Sequence, residues 1–380
     1  MGPATSDSAC DLQSGEWQRM SAPVDKCEHD LLQFRRCSPE QQLMHWQPRA
    51  CNLPEATSHS LAQALGKRKL RFIGDSTTYD HFLYVASCVM NCSSTLTLNM
   101  QRRLTLKDPR YRTLWYEELT KAGYNNVTAA HAIEYMRLNN GKEHVYEGCS
   151  TLHGGHVDVR SLNMLPGQGL GSDRDLMRAV LHGLVYIGYA ADGSRINKIQ
   201  RRKLDSSSMG PSDVVLLNFG LHVTANDSFH AQMVQVLDYW AGERTAGRAP
   251  QLLWRQGSPQ HWPTPFGQFR SLDDVGRIKG CQQLPKEVAA DALPSYDRGV
   301  SDLFRRPEYG AWADVLPLFV ATWERVNDHP KLHNLAHIGL RGTALNRTDV
   351  YDCTHFCSTG STTRFWTAAL LRWLRLSNRG

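Results

Sequence analysis

Apolar positions along this chain fall into short runs that switch between two periods. Residues 70–73 (Leu-Arg-Phe-Ile) read as a short buried strand that stops at Gly74. Beyond it Phe82, Val85, Ala86 and Val89 recur at three- and four-residue spacing, which predicts a helix over residues 77–89 with Asp75 or Ser76 as its cap. Residues 213–218 are a near-continuous apolar run, as in a strand covered on both faces. Asn226 or Asp227 then opens a helix whose stripe of Phe229, Met233, Val236, Leu237 and Trp240 is core packing. Residues 251–255 and 315–320 are further strands, residues 60–65 a short helix and residues 363–376 a closing helix. Strands alternating with helices predict an α/β sandwich on a central, mostly parallel sheet.

The remaining stretches are less periodic. Residues 95–98 and 144–146 look like strands, and residues 116–122 and 128–136 like helices. Residues 176–189 are apolar enough for a buried helix or a helix–strand pair, and the polar stretch 191–212 is an exposed loop. Residues 1–60 show little periodicity and hold four cysteines, which predicts a segment tied down by disulfides. The expected organisation is therefore a cysteine-rich segment over 1–60 packed on an α/β domain over 61–380.

Composition narrows the function classes. In 380 residues, 43 Lys and Arg stand against 37 Asp and Glu, and the mild excess is scattered except for Lys67-Arg68-Lys69 and Arg201-Arg202-Lys203. No basic stripe is interleaved with aromatics, so no nucleic-acid partner is expected. Ten cysteines, an even number, accompany sequons at Asn91, Asn126, Asn226 and Asn346, which together favour an oxidising, glycosylating compartment. The start of the chain lacks the basic and apolar regions of a signal peptide, and no run approaches 18 apolar residues. A luminal or secreted protein whose anchor or signal peptide is missing from this chain is expected.

The candidate chemistry sits at junctions. Ser76, in Gly74-Asp75-Ser76, lies where a strand hands over to a helix, and helix N-termini present backbone N–H donors able to stabilise an oxyanion. The same tripeptide is also ordinary turn and cap chemistry. Near the far end, Asp352 and His355 are three residues apart. That spacing lets a carboxylate orient an imidazole whose other nitrogen takes a proton from a hydroxyl. Two other readings of Asp352-Cys353-Thr354-His355-Phe356-Cys357 are a metal site and a purely structural Asp–His pair. No G-x-S-x-G elbow is present, which argues against an α/β-hydrolase. Asn218, at a strand end, is an expected oxyanion donor beside the backbone N–H groups of Ser76 and Thr77. Asp75, Gly220, His222, Arg255 and His261 are expected to line the cleft, because ligands gather at the carboxyl ends of parallel strands.

These residues carry a resemblance. Gly74-Asp75-Ser76, Asn218-Phe219-Gly220-Leu221-His222 and Asp352-Cys353-x-His355-x-Cys357 resemble the SGNH/GDSL hydrolase superfamily. More closely, the chain resembles the PC-esterase group that contains the plant trichome birefringence-like proteins. Cys10-Asp11-Leu12-x-x-Gly15-x-Trp17, Cys27, Cys37 and Trp46-Gln47-Pro48-x-x-Cys51-x-Leu53-Pro54 look like the cysteine-rich segment that precedes the esterase domain in that group. The likeness runs from about residue 10 to residue 376. It departs at Ser358-Thr359-Gly360, where the group often has Leu-Pro-Gly, and at Val223-Thr224, where it has tryptophans. Both departures bear on the acceptor rather than on the triad.

The resemblance implies an SGNH-like three-layer fold and acyl transfer onto polysaccharide hydroxyls in a plant or algal Golgi. Ser76 would be the nucleophile, His355 the base and Asp352 its orienting acid, with Asn218 at the oxyanion. It implies no metal or organic cofactor, an acetyl donor such as acetyl-CoA as co-substrate and a polysaccharide acceptor. A carbohydrate acetylesterase of the same fold and a polysaccharide-binding protein without turnover are the alternatives. It also implies disulfides Cys10–Cys51, Cys27–Cys88, Cys37–Cys357 and Cys281–Cys353, which leaves Cys92 with Cys149.

Overall fold

The structure is a computed structural model, and it describes residues 10–22, 37–90, 143–146, 159–163, 210–218, 226–247, 249–265, 267–269, 280–332 and 350–378. Strands β1 (Gly15–Arg19) and β2 (Met44–Pro48) form an antiparallel pair with Trp17 opposite Trp46. Helix α1 (Pro39–Gln42) precedes β2, and α2 (Ser58–Leu65) leads into β3 (Leu70–Gly74). Helix α3 (Ser76–Tyr84) follows at once and runs on as a π-helical turn, Val85–Val89. Next come β4 (Glu143–Tyr146), β5 (Val159–Asn163), β6 (Val214–Asn218), α4 (Asn226–Thr245), β7 (Gln251–Arg255), α5 (Ser295–Phe304) and β8 (Ala313–Leu316). A two-residue pairing of β9 (Lys331–Leu332) with β10 (Val350–Tyr351) precedes the closing helix α6 (Ser361–Ser377).

The central sheet has the order β4-β5-β3-β6-β7-β8. Pairs β5–β3, β3–β6, β6–β7 and β7–β8 are parallel, and β4 adds an antiparallel edge. Every residue of β3 and β6 is buried, as near-continuous apolar runs require when both faces are covered. Alternation along the strands divides the core. Leu70, Phe72, Val214, Leu216 and Leu253 pack with Phe82, Phe365, Trp366, Leu370 and Leu371 of α3 and α6. Trp254, the next residue after Leu253, packs instead, with tilted rings, against Phe229 of α4 and Phe304 of α5. Each such fully buried side chain contributes roughly 1.5–3 kcal/mol relative to an exposed one.

The expected α/β class is therefore present, with helices on both faces of a mostly parallel sheet. The N-terminal segment is welded to this domain by apolar contact. Trp17, Trp46 and Phe365 of α6 form a three-ring cluster with centroids 5.5–5.8 Å apart, and Trp17 Nε1 donates to Ala321 O. Two expectations are corrected. The strand expected over 315–320 is Ala313–Leu316, because Pro317 has no N–H to extend the ladder, and Phe319–Thr322 turns as a helix. The helix expected over 77–89 changes from α to π bonding at Val85, with Met90 N donating to Val85 O. The expected elements at 95–98, 116–122, 128–136 and 176–189, and the loop over 191–212 up to residue 209, lie outside the described residues.

Candidate active site

Ser76 is the first residue of α3, placed by a tight junction at the end of β3. A Cβ on Gly74 would stand 1.9 Å from Asn218 O and 2.5 Å from Thr78 Oγ1, so only glycine lets the ends of β3 and β6 meet the helix this closely. Asp75 N donates to Asn218 O at 3.0 Å, which ties the two strand ends together. The carboxylate of Asp75, fully buried, is the helix cap. Its Oδ1 accepts from Thr77 N at 3.0 Å and from Thr77 Oγ1 at 2.7 Å. Ser76 itself stays partly exposed at the positive end of the helix.

His355 reaches this serine from the other end of the chain. Ser76 Oγ lies 2.6 Å from His355 Nε2, and His355 Nδ1 lies 2.7 Å from Asp352 Oδ2. The three-residue spacing works through the turn that Asp352 caps. Its Oδ1 accepts from Thr354 N at 3.1 Å and from His355 N at 3.2 Å, so the carboxylate holds both the backbone and the ring of the histidine. Asp352 is buried and the His355 side chain is 14% exposed, which leaves the serine–imidazole pair open to a ligand and its acid shielded from water.

The loop bearing His355 is fastened on every side. Disulfides Cys281–Cys353 and Cys37–Cys357 staple it before and after the histidine. Its backbone is bonded by His261 N to Cys353 O (2.8 Å) and by Cys357 N to Asp328 O (2.8 Å), and Trp262 Nε1 donates to Thr354 Oγ1 (2.8 Å). Asp328 Oδ2 also accepts from Thr362 N and Oγ1, so this carboxylate, paired with Arg325, caps α6 directly after the loop. With both cysteines in disulfides, the metal reading of this run loses its thiolates. Cys10–Cys51 is a third pair that matches the expected connectivity. Cys88 is disulfide-bonded to a cysteine outside the described residues. The expected partners Cys27, Cys92 and Cys149 all lie there, as do the expected cleft residues Gly220 and His222.

Three side chains expected to line the cleft support it from beneath instead. Asp75, Arg255 and His261 are fully buried. Arg255 Nη2 donates to Thr77 Oγ1 at 2.8 Å and Nη1 to Ser258 Oγ at 3.3 Å, and the guanidinium lies over the Trp366 ring at 4.6 Å. Burial lowers the Arg255 pKa to about 10, opposed by the nearby Asp75, Asp297 and Asp80 carboxylates, so it is a cation at neutral pH. The chain Arg255–Thr77–Asp75 thus holds the first turn of α3 in place. Asn218, expected at the oxyanion, is 1% exposed and its Nδ2 donates to Arg255 O at 2.7 Å, so one amide hydrogen braces two strand ends. The expected oxyanion donor Thr77 N is taken up by Asp75 in the same way.

His261 belongs to a chain of rings behind the His355 loop, with Nδ1 2.6 Å from His329 Nε2. Sequence reasoning gave His329, Trp262, Asp328 and the Thr77 side chain no functional weight, because none lies in a spaced motif. A cavity of about 790 Å³, lined among others by Glu40, Gln41, Arg325, His329 and Tyr351, has no wall from Ser76, Asp352 or His355. Among the described residues no helix is long and apolar enough to cross a membrane. A scan against family models and a search of curated proteins both find no match, so any function rests on these residues themselves.

Proposed function

We propose that the chain is an O-acetyltransferase of SGNH-like three-layer architecture that moves an acetyl group, through an acetyl-serine, onto hydroxyls of a cell-wall polysaccharide. The observation that carries this reading is the continuous Ser76–His355–Asp352 hydrogen-bonded chain, at 2.6 and 2.7 Å, at the carboxyl end of a parallel strand. In the first half-reaction His355 Nε2 takes the Ser76 proton as Oγ attacks the acetyl carbonyl. The tetrahedral oxyanion forms at the positive end of α3, where the Ser76 N–H is the donor this reading assigns. His355 returns the proton to the donor's leaving group, which leaves acetyl-serine. In the second half a sugar hydroxyl gives its proton to His355 and attacks the acetyl carbon, and the proton passes back to Ser76 Oγ. Asp352 stabilises the imidazolium in both halves.

The three disulfides among the described residues and the sequence reading support a luminal or secreted setting, and the mechanism requires no metal or organic cofactor beyond the acetyl donor. The test is incubation with acetyl-CoA and xylan, mannan and pectin oligosaccharides, followed by mass spectrometry, with Ser76→Ala alongside. One acetylated glycan, absent with Ser76→Ala, is the expected result. Acetate release without a glycan product would reassign the site to hydrolysis, which uses the same triad. No acetyl-serine and no turnover would leave a binding protein.

A further inference from the structure

Behind the His355 loop, two imidazoles face each other in a way that ordinary neutral tautomers do not satisfy. His261 Nε2 lies 2.8 Å from Trp323 O, and His329 Nδ1 lies 2.7 Å from His355 O. A carbonyl oxygen only accepts, so each of these two nitrogens must carry a hydrogen. In two neutral rings the remaining nitrogens, His261 Nδ1 and His329 Nε2, would then both be bare lone pairs, and they are 2.6 Å apart. Moving a hydrogen onto either of them in a neutral ring strips the donor from a carbonyl. One added proton resolves every contact. It sits between the rings, and all four ring nitrogens are then bonded.

We propose that His261 and His329 form a buried imidazole–imidazolium pair that holds one shared proton and through it fixes the position of the His355 backbone. Both rings are buried, His329 lies against Phe356 with centroids 4.4 Å apart, and His261 lies edge-on to the same ring. The charged groups around the pair are Asp352 and His355 on the active-site loop and the Arg325–Asp328 ion pair just before His329. Asp352 and the two carbonyls favour the single positive charge, and His355 opposes it. Burial opposes charge on either ring, pulling His261 down to about 4 and, together with the neighbouring ring, His329 down to about 3, so a second charge is refused. The contacts hold the first charge against that cost, because without the proton two lone pairs face each other at 2.6 Å and with it every ring nitrogen is bonded. The pair therefore takes one proton and holds it as a structural ion, anchoring the carbonyl of the residue whose ring serves as base.

The proton itself is independent of the transferase reading, whereas the positioning role rests on it. The full chain, labelled with ¹⁵N in its histidines, is examined by NMR between about pH 6 and about pH 8. The expected result is a strongly deshielded, slowly exchanging proton coupled to nitrogens of both His261 and His329, lost in His261→Gln. Four ring nitrogens with the shifts of two neutral imidazoles and no bridging proton would overturn the proposal, and because the wild-type chain gives this readout, folding of a variant is not required. In the acyl-transfer assay His329→Gln is expected to shift the pH profile of acetyl-serine formation and lower kcat about tenfold with KM unchanged. An unshifted profile and an unchanged kcat would overturn the positioning role. A bridging proton in a chain that transfers no acetyl group would keep the pair and refute the transferase reading alone.

Discussion

Replacing Asp352 with Asn probes the proposed mechanism at the residue with the fewest alternatives. Its two oxygens have different duties. Oδ1 accepts from the Thr354 and His355 backbone N–H groups, and Oδ2 accepts from His355 Nδ1. An asparagine has one oxygen. If that oxygen stays on the two amides, the side-chain NH₂ meets Nδ1 and drives the ring proton to Nε2, where it faces Ser76 Oγ and abolishes the base. If the amide turns over, its NH₂ meets two backbone donors and the loop loses its cap. The lost charge adds to either outcome. Opposite charges about 4 Å apart at an effective dielectric of about 20 attract by ~4 kcal/mol, so the imidazolium of the transition state is destabilised about a thousandfold in rate. With the wrong tautomer included, the expected loss is between about 10³ and about 10⁴. Quenched-flow mass spectrometry of acetyl-serine measures it, with thermal unfolding run in parallel. A variant that keeps its stability and acylates within about tenfold of wild type would refute the assignment of Asp352 as orienting acid.

Other expectations follow from the same geometry. Gly74→Ala drives a Cβ into the backbone oxygen of Asn218 and is expected to cost about 3 kcal/mol or more, read from urea unfolding; a neutral result would mean that the β3–β6 junction can open. Replacing Cys281 and Cys353 together by Ser frees a loop of 72-residue separation, which at chain-entropy values costs about 4 kcal/mol, and is expected to slow acylation through a displaced His355; wild-type activity would show that the Cys37–Cys357 staple and the loop's hydrogen bonds hold His355 without it. Acid should destabilise the fold. The pKa of His81 is lowered by burial and the His261–His329 pair takes no second proton, so as pH falls below the ordinary histidine value of about 6.5 the unfolded chain takes up protons that the folded one refuses, and stability is lost. Asp297, raised by burial to about 6, acts in the opposite sense, because the folded state takes up its proton first. Near pH 5 unfolding should therefore take up a net of about one to two protons, a slope of ~1.4–2.7 kcal/mol per pH unit, and stability that rises on acidification would contradict the buried, neutral state of His81.

Much of this architecture was legible where one force acts alone. The runs at 70–73 and 213–218 and the stripe from Phe229 to Trp240 are set by burial on a regular period, and they fold as β3, β6 and α4. β5 was not foreseen: its sequence, Val-Arg-Ser-Leu-Asn, is half polar, and its pairing with β3 is a matter of tertiary contact. The approach of Ser76 to Asp352 and His355 followed from chemical roles, although they are more than 270 residues apart. The roles of Asn218, Arg255 and His261 did not follow. A strand end marks a residue as near the site, but whether its side chain points into the cleft or under it depends on neighbours such as Thr77, Trp323 and His329, which no spacing rule brings together.

The two staples flanking His355 also bear on when the proposed site can form. Ser76 and its helix are made before His355, which lies between two cysteines whose partners, Cys37 and Cys281, are made before it. Anchoring the histidine thus depends both on synthesis as far as Cys357 and on oxidation. A chain that stops short of Cys357, or a reduced one, carries the proposed nucleophile without a stapled base, so the proposed chemistry waits for an oxidant.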